Sequence, residues 1–234
     1  MPGITHEAVA RAAGTRVTHR RLSTVLTLVL SIASLAAAGY LYVVGAAPAS
    51  ACSTSIGGRV TGRGLELAQT SAGPWYDGDM PALSDQIPRV TRRLFPGVSG
   101  SMFVYAKNTG IGAADPSISF ADLVDGGGAY TEPERDVEPR RDTGDLSANV
   151  VLTLSYSSST HPSDPPRVVA RGTARDLAAR GRVFGAPMSL QPFSARAKEM
   201  GIWRIDLSVP TAADNRIQGD TAALTVVFGL TQSH

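Results

Sequence analysis

The N-terminal part of the sequence contains an unbroken run of uncharged residues, Leu22 to Ala47, directly after Arg20 and Arg21. A helix rises about 1.5 Å per residue, so this run exceeds the roughly 20 residues needed to cross a bilayer. Four arginines and one glutamate precede it, and basic residues of this kind stay on the cytoplasmic side. We therefore expect a cytoplasmic tail at 1–21, a membrane-targeting helix at 22–47 and an external remainder.

Two fates of this helix remain open. The small residues Ala49 and Ala51 fit a signal-peptidase site that cuts between Ala51 and Cys52. The run is nevertheless longer than the roughly 7 to 15 apolar residues of a typical cleaved signal, which favours a retained anchor. Cys52 could carry a lipid, but Ala49 stands where a leucine-like residue is expected, so a free thiol is the simpler interpretation. Either way, the protein is expected to be exported to the cell surface or the extracellular space, and it is anchored in the membrane if the helix is not cleaved.

The exported part is nearly neutral. Residues 1–51 hold four of the 22 basic and one of the 20 acidic side chains, which leaves 18 and 19 in residues 52–234. No excess of positive charge therefore argues for a nucleic-acid partner. The remaining 183 residues can bury a core without disulfides, and Cys52 is the only cysteine in the sequence.

Short segments of alternating apolar and polar residues indicate β-strands in this part of the chain. The expected strands lie at residues 102–107, 117–124, 149–156, 167–173, 202–209 and 221–230. In the second of them, Ile118, Phe120 and Asp122 should share one face. A single helical turn is expected near 176–179. We predict an all-β fold, an antiparallel β-sandwich over residues 65–234, with 221–230 as a central core strand.

Two segments at the start of the exported part invite functional interpretations. Residues 48–64 are rich in Gly, Ser and Thr, which predicts a flexible lead-in or, within residues 52–64, a weak edge strand. Its apolar residues Ile56 and Val60 could be donated to the sheet of another copy by strand addition. Further on, Trp75 and Tyr76 follow a turn, and they either pack over the rim of the core or form a platform for a ligand.

The segment Asn215 to Gln232 (NRIQGDTAALTVVFGLTQ) resembles the closing strand of the TasA/camelysin family of exported Gram-positive matrix proteins. The block from Pro96-Gly97 to Asn108-Thr109-Gly110 is similar to that family's early strand, and both follow an export segment. The resemblance implies a jelly-roll sandwich that is secreted or attached to the envelope. It also implies assembly into extracellular fibres in some members and a metallopeptidase label in others.

The residues do not support the peptidase label. A zinc hydrolase needs about three protein ligands and a general base, and the exported part has only His161 and His234, without helical partners. An acidic run could suggest a metal site, but arginines are interleaved with it, which predicts a solvated loop. Its carboxylates are Glu132, Glu134, Asp136 and Glu138. We predict no catalytic residue, no cofactor and no bound metal.

Three classes of function remain. The first is a structural or assembly protein of the cell surface, which the family resemblance favours. The second is a monomeric envelope module that binds carbohydrate or protein, for which Trp75 and Tyr76 would be the ligand-facing aromatics. The third, and least favoured, is an exported hydrolase that works with carboxylates alone.

Overall fold

Ten strands and three short α-helices form the described part of the chain in the computed structural model, which describes residues 52–128, 144–159, 165–194, 196, 198–213 and 217–232. The strands are β1 (Ser53–Thr61), β2 (Leu65–Ala68), β3 (Asp79–Met80), β4 (Ser99–Asn108), β5 (Ala114–Gly126), β6 (Val151–Ser158), β7 (Arg167–Thr173), β8 (Val183–Gly185), β9 (Gly201–Ser208) and β10 (Thr221–Gln232). The α-helices are α1 (Pro88–Thr91), α2 (Leu146–Asn149) and α3 (Ala174–Ala178), with 3₁₀ turns at Leu83–Gln86 and Ala179–Gly181.

Several expected features lie outside the described residues. They are the helix at 22–47, the acidic run at 132–138, His161 and His234. Within the described ranges, no helix is both long and apolar enough to span a membrane.

The strands build two five-stranded sheets. The first has the order β3-β1-β10-β5-β8 and the second β2-β4-β9-β6-β7. Every pair of neighbours is antiparallel except β1 and β10, which run parallel. Apolar side chains from both sheets form one buried cluster, and Ala49–His234 is a compact unit with this cluster as its core. The expectation of an all-β protein built from two sheets is confirmed, although one strand pair is parallel.

The side chains of β4 face the core or the solvent in the alternating order that the sequence predicts. Met102, Val104 and Ala106 of β4 are fully buried, whereas Phe103 on the opposite face is 37% exposed. The strand predicted at 221–230 corresponds to β10, the middle strand of the first sheet. The alternation works in these two strands because one face packs on the core and the other faces away from it.

The expectation for Asp122 is wrong. Ile118 and Phe120 are buried, but Asp122 has a φ of 53° and is exposed. The pairing of β5 with β10 shifts register between Ala223 and Thr225, opposite this residue. The shift is a β-bulge: one extra residue in β5 reverses the facing of the side chains that follow it.

The predicted flexible lead-in is also wrong. Residues 53–61 form β1, so the sandwich begins at Cys52 rather than at residue 65. Ile56 and Val60 are 2% and 7% exposed and belong to the core. The glycine and serine content suggested a mobile segment. The burial of its alternating apolar residues and its hydrogen bonds to a neighbouring strand nevertheless hold it in an ordered strand.

Candidate functional site around the first strand

The first strand is held mainly by one neighbour. It pairs with β10 over nine residues, from Ser53 opposite Thr221 to Thr61 opposite Gly229. On its other edge, β3 pairs with it only at two residues. Most of the backbone hydrogen bonding of β1 to other strands therefore depends on the parallel ladder with β10.

Gly58 lies where β1 passes closest to its short neighbour. A Cβ atom built on Gly58 would lie 2.7 Å from both Cγ and Sδ of Met80, and 3.5 Å from Cγ of Leu83. A side chain at this position would displace the Met80 side chain from β1. The glycine therefore lets Met80 pack closely against the strand.

Cys52 lies in the core at the start of β1. Its side chain is 3% exposed, and its thiol contacts the backbone carbonyl of Ile217. Backbone bonds hold both sides of the residue: the Leu94 N–H donates to the Cys52 carbonyl at 3.0 Å, and the Ser53 N–H donates to the Asp220 carbonyl at 3.1 Å. Burial raises the pKa of the thiol. A lipid on this sulfur would have to displace the core around it.

The loop between β1 and β2 consists of three residues, 62–64. Gly62 and Gly64 have φ values of 93° and 83°, which favour glycine because a side chain would be strained there. The loop also carries the chain from the first sheet to the second. The two glycines therefore allow a loop of only three residues to make this crossing.

A network of charged and polar groups ties the other end of the first sheet together. Arg175 Nη2 donates to Asp125 Oδ2 at 3.1 Å and to Asp145 Oδ1 at 3.2 Å. Ser147 donates its backbone N–H and its hydroxyl to Asp125, and the Asp145 N–H donates to Asp220 Oδ2 at 2.7 Å. The hydrogen bond to Asp125 is the largest cause that raises the pKa of Arg175. These contacts join α2 and α3 to β5 and to the residue before β10, which is a structural role.

The two predicted ligand-facing aromatics lie in different settings. The Lys107 ammonium lies 3.5 Å from the ring centroid of Trp75 and 4.6 Å from that of Phe193, so it is placed between the two rings. Such cation–π contacts hold one face of Trp75. Tyr76 forms backbone hydrogen bonds with Leu67, and its side chain packs against the core. The two side chains therefore do not form a shared open platform.

The part of the chain that the structure describes contains no group of three or more His, Cys, Asp or Glu side chains placed to hold a metal ion. No protein-family model matches the chain, and no curated protein sequence matches it. Reasoning from the sequence described residues 52–64 only as a flexible lead-in or a weak edge strand, whereas residues 53–61 form a core strand. The alternation of Ile56, Gly58 and Val60 was the signal that could have identified its buried face.

Proposed function

We propose that this protein is an exported structural subunit of the cell surface that assembles by exchange of β1 between copies. Export rests on the uncharged run at 22–47 and the arginines before it. The resemblance to the TasA/camelysin family supports the assembly role and a jelly-roll connectivity of the sandwich. The proposed role is not enzymatic and uses no cofactor; the partners are the membrane, through the N-terminal helix, and other copies of the chain.

One observation carries the proposal: the first strand after the export segment is bound along one edge, in parallel register, to the last strand of the domain. If β1 of one copy fills the same position in the next, Ile56 and Val60 are buried by the same neighbours. The closed and exchanged forms then contain nearly the same contacts, and the equilibrium between them depends on protein concentration and on the loop 62–64, which is the hinge of the exchange in this proposal. An exchange that runs head to tail and does not close produces a fibre.

Paired cysteines test the exchange directly. Ser55 of β1 and Ala223 of β10 are Cα partners, and both side chains are exposed. In a Cys52→Ala background, we expect the double variant Ser55→Cys/Ala223→Cys to form an internal disulfide when oxidised as a dilute monomer. That bond locks β1 onto its own β10. The locked protein should remain monomeric in electron microscopy and size-exclusion chromatography at concentrations where the reduced protein forms fibres.

The same positions separate exchange from other modes of association. A mixture of the single variants Ser55→Cys and Ala223→Cys should form disulfide-linked dimers between different chains once fibres have grown. Thr231→Cys is the matched control, because this exposed residue of β10 lies beyond the register with β1. Fibres grown from the locked protein would refute strand exchange. A protein that stays monomeric at every concentration would refute the assembly role and favour a binding module.

A further inference from the structure

A basic surface lies beside the point where the chain enters the domain. It consists of Arg89, Arg92 and Arg93 on and after α1, followed by Phe95; we call it the α1 surface. All four side chains are exposed, Phe95 by 57%. Among the described residues, none of the three arginines forms an ion pair. Three unpaired cations and an exposed aromatic ring next to one another leave a surface without a partner in the domain.

The fold directs these side chains outwards. A Cβ atom built on Gly100 of β4 would lie 3.1 Å from Val90, so the inner side of α1 rests closely on this strand. Thr91 is buried, and its hydroxyl donates to the Ser84 carbonyl at 3.1 Å. With these residues turned inwards, Arg89 and Arg92 are left on the outer side, where they line an open recess together with Pro88 and Arg93.

The position of the surface along the chain identifies its partner. The Leu94 N–H donates to the Cys52 carbonyl, so Arg93 and Phe95 flank the residue bonded to the start of the domain. Only five residue steps separate Cys52 from Ala47, the end of the uncharged run. At the maximum extension of a chain, five steps span roughly 18 Å. If the helix is retained in the membrane, it therefore holds this part of the domain near the lipid head groups.

We infer that the α1 surface binds anionic lipid head groups of the bilayer in which the chain is anchored. Arginines are attracted to phosphate head groups, and an exposed phenylalanine can enter the interfacial region. Asp85, which lines a neighbouring recess together with Arg92, offsets one positive charge. The inference rests on the membrane-anchoring part of the proposed function and is independent of strand exchange.

Vesicle binding by the compact unit Ala49–His234 tests the inference, with thermal unfolding as the check that every variant is folded. We expect the unit to sediment with vesicles of phosphatidylcholine and phosphatidylglycerol, but not with phosphatidylcholine alone, and to be released by salt. Arg89→Gln/Arg92→Gln/Arg93→Gln should weaken binding roughly 100-fold, from the increment that each basic residue contributes at an anionic surface.

The control variant removes three positive charges at sites away from the α1 surface. Arg63 lies beyond the opposite end of β1, and Arg167 and Arg171 are exposed on β7, the far edge strand of the second sheet. Arg63→Gln/Arg167→Gln/Arg171→Gln should bind nearly as well as the parent. Equal losses in the two triple variants would show that binding follows net charge alone and would overturn the inference.

An environment-sensitive probe locates the contact. In a Cys52→Ala background, a nitrobenzoxadiazole label on Phe95→Cys should brighten when phosphatidylglycerol vesicles are added. The same label on Ile111→Cys, at a site that is 98% exposed, should not. Sedimentation without a change at position 95 would place the contact elsewhere and overturn the inference.

Equally tight, arginine-dependent binding of a soluble polyglycerol phosphate would instead assign the surface to an anionic wall polymer and overturn the inference. Since no step requires fibres, failure here leaves strand exchange standing.

Discussion

Asn108, the last residue of β4, is completely buried, and its side chain is fully hydrogen-bonded. Nδ2 donates to the Gly112 carbonyl at 2.8 Å and to the Leu190 carbonyl at 2.9 Å, while Oδ1 accepts from the Gly110 N–H at 2.9 Å. One side chain thus closes the loop to β5 and holds the segment around residue 190. The Asn-Thr-Gly sequence that carried part of the family resemblance has a structural role in this protein.

Asn108→Ala should lower the free energy of unfolding by about 2–4 kcal/mol, because the buried Leu190 carbonyl, the partly buried Gly112 carbonyl and the partly buried Gly110 N–H lose their partner. Urea unfolding of the unit Ala49–His234 measures the effect. Thr109→Ala, at the exposed next position, is the control and should change stability by less than about 0.5 kcal/mol. Similar losses in both variants would contradict the role of the Asn108 amide.

Tyr156 has a buried hydroxyl that has no hydrogen-bond partner among the described residues. Its ring contacts Trp203 edge-on, with centroids 4.8 Å apart, and a Cβ on Gly201 would lie 2.3 Å from the hydroxyl oxygen. Burial, assisted by the charge of Glu199, raises the pKa of Tyr156 above its ordinary value of 10.0. Ionisation is therefore easier in the unfolded chain, so the domain loses stability as the pH rises above 10.0.

We expect Tyr156→Phe to leave the free energy of unfolding at neutral pH unchanged or higher, since no hydrogen bond is lost. The variant should also lose less stability than the parent protein when the pH rises above the ordinary pKa of tyrosine. Urea titrations at neutral pH and at several alkaline values measure both effects. A large loss at neutral pH would mean that the hydroxyl is bonded in solution.

At the scale of elements, β1 is the one whose role changes most between sequence and structure. A flexible lead-in could be deleted at little cost to stability. Since Ile56 and Val60 belong to the core and β1 is bonded along β10, deletion of residues 52–64 should instead unfold the domain or lower its thermal midpoint strongly.

Ile56→Ala tests the burial of β1 with a smaller change. The variant should lose about 2–4 kcal/mol in urea unfolding, from lost burial and the cavity it leaves. Ser55→Ala, at the exposed neighbouring position on the opposite face, should have little effect. If Ile56→Ala is as stable as Ser55→Ala, β1 is not docked in the isolated domain, and its open form would be the assembling state.

For the whole molecule, the arginines before the uncharged run predict that residues 1–21 are cytoplasmic and residues 52–234 external. The natural thiol is a poor reporter, because Cys52 is buried and its pKa is raised. In a Cys52→Ala background, Ile111→Cys should react with a membrane-impermeant maleimide on intact cells. Thr5→Cys is the matched control and should react only after lysis. The reverse pattern would overturn the proposed orientation.

The sequence by itself determined the fold class and much of the core. Alternating residues such as Met102, Val104 and Ala106 identify a strand and its buried face without any knowledge of its neighbours, because side chains alternate along a strand with a period of two. The same reasoning identified β10 as a core strand, and the helical turn expected near 176–179 overlaps α3.

Only the tertiary structure decided which strands are neighbours and where single residues depart from what their local sequence predicts. The parallel pairing of β1 with β10 joins residues near the two ends of the domain, and no local pattern reports such a contact. Gly58 indicated flexibility in the sequence, yet in the fold it is buried in β1 and lets the Met80 side chain approach closely. Asp122 left its expected face because a bulge in β5 changed the register with β10. The physical reason is common to all three: each depends on atoms far away in sequence, whereas alternation depends only on the nearest residues.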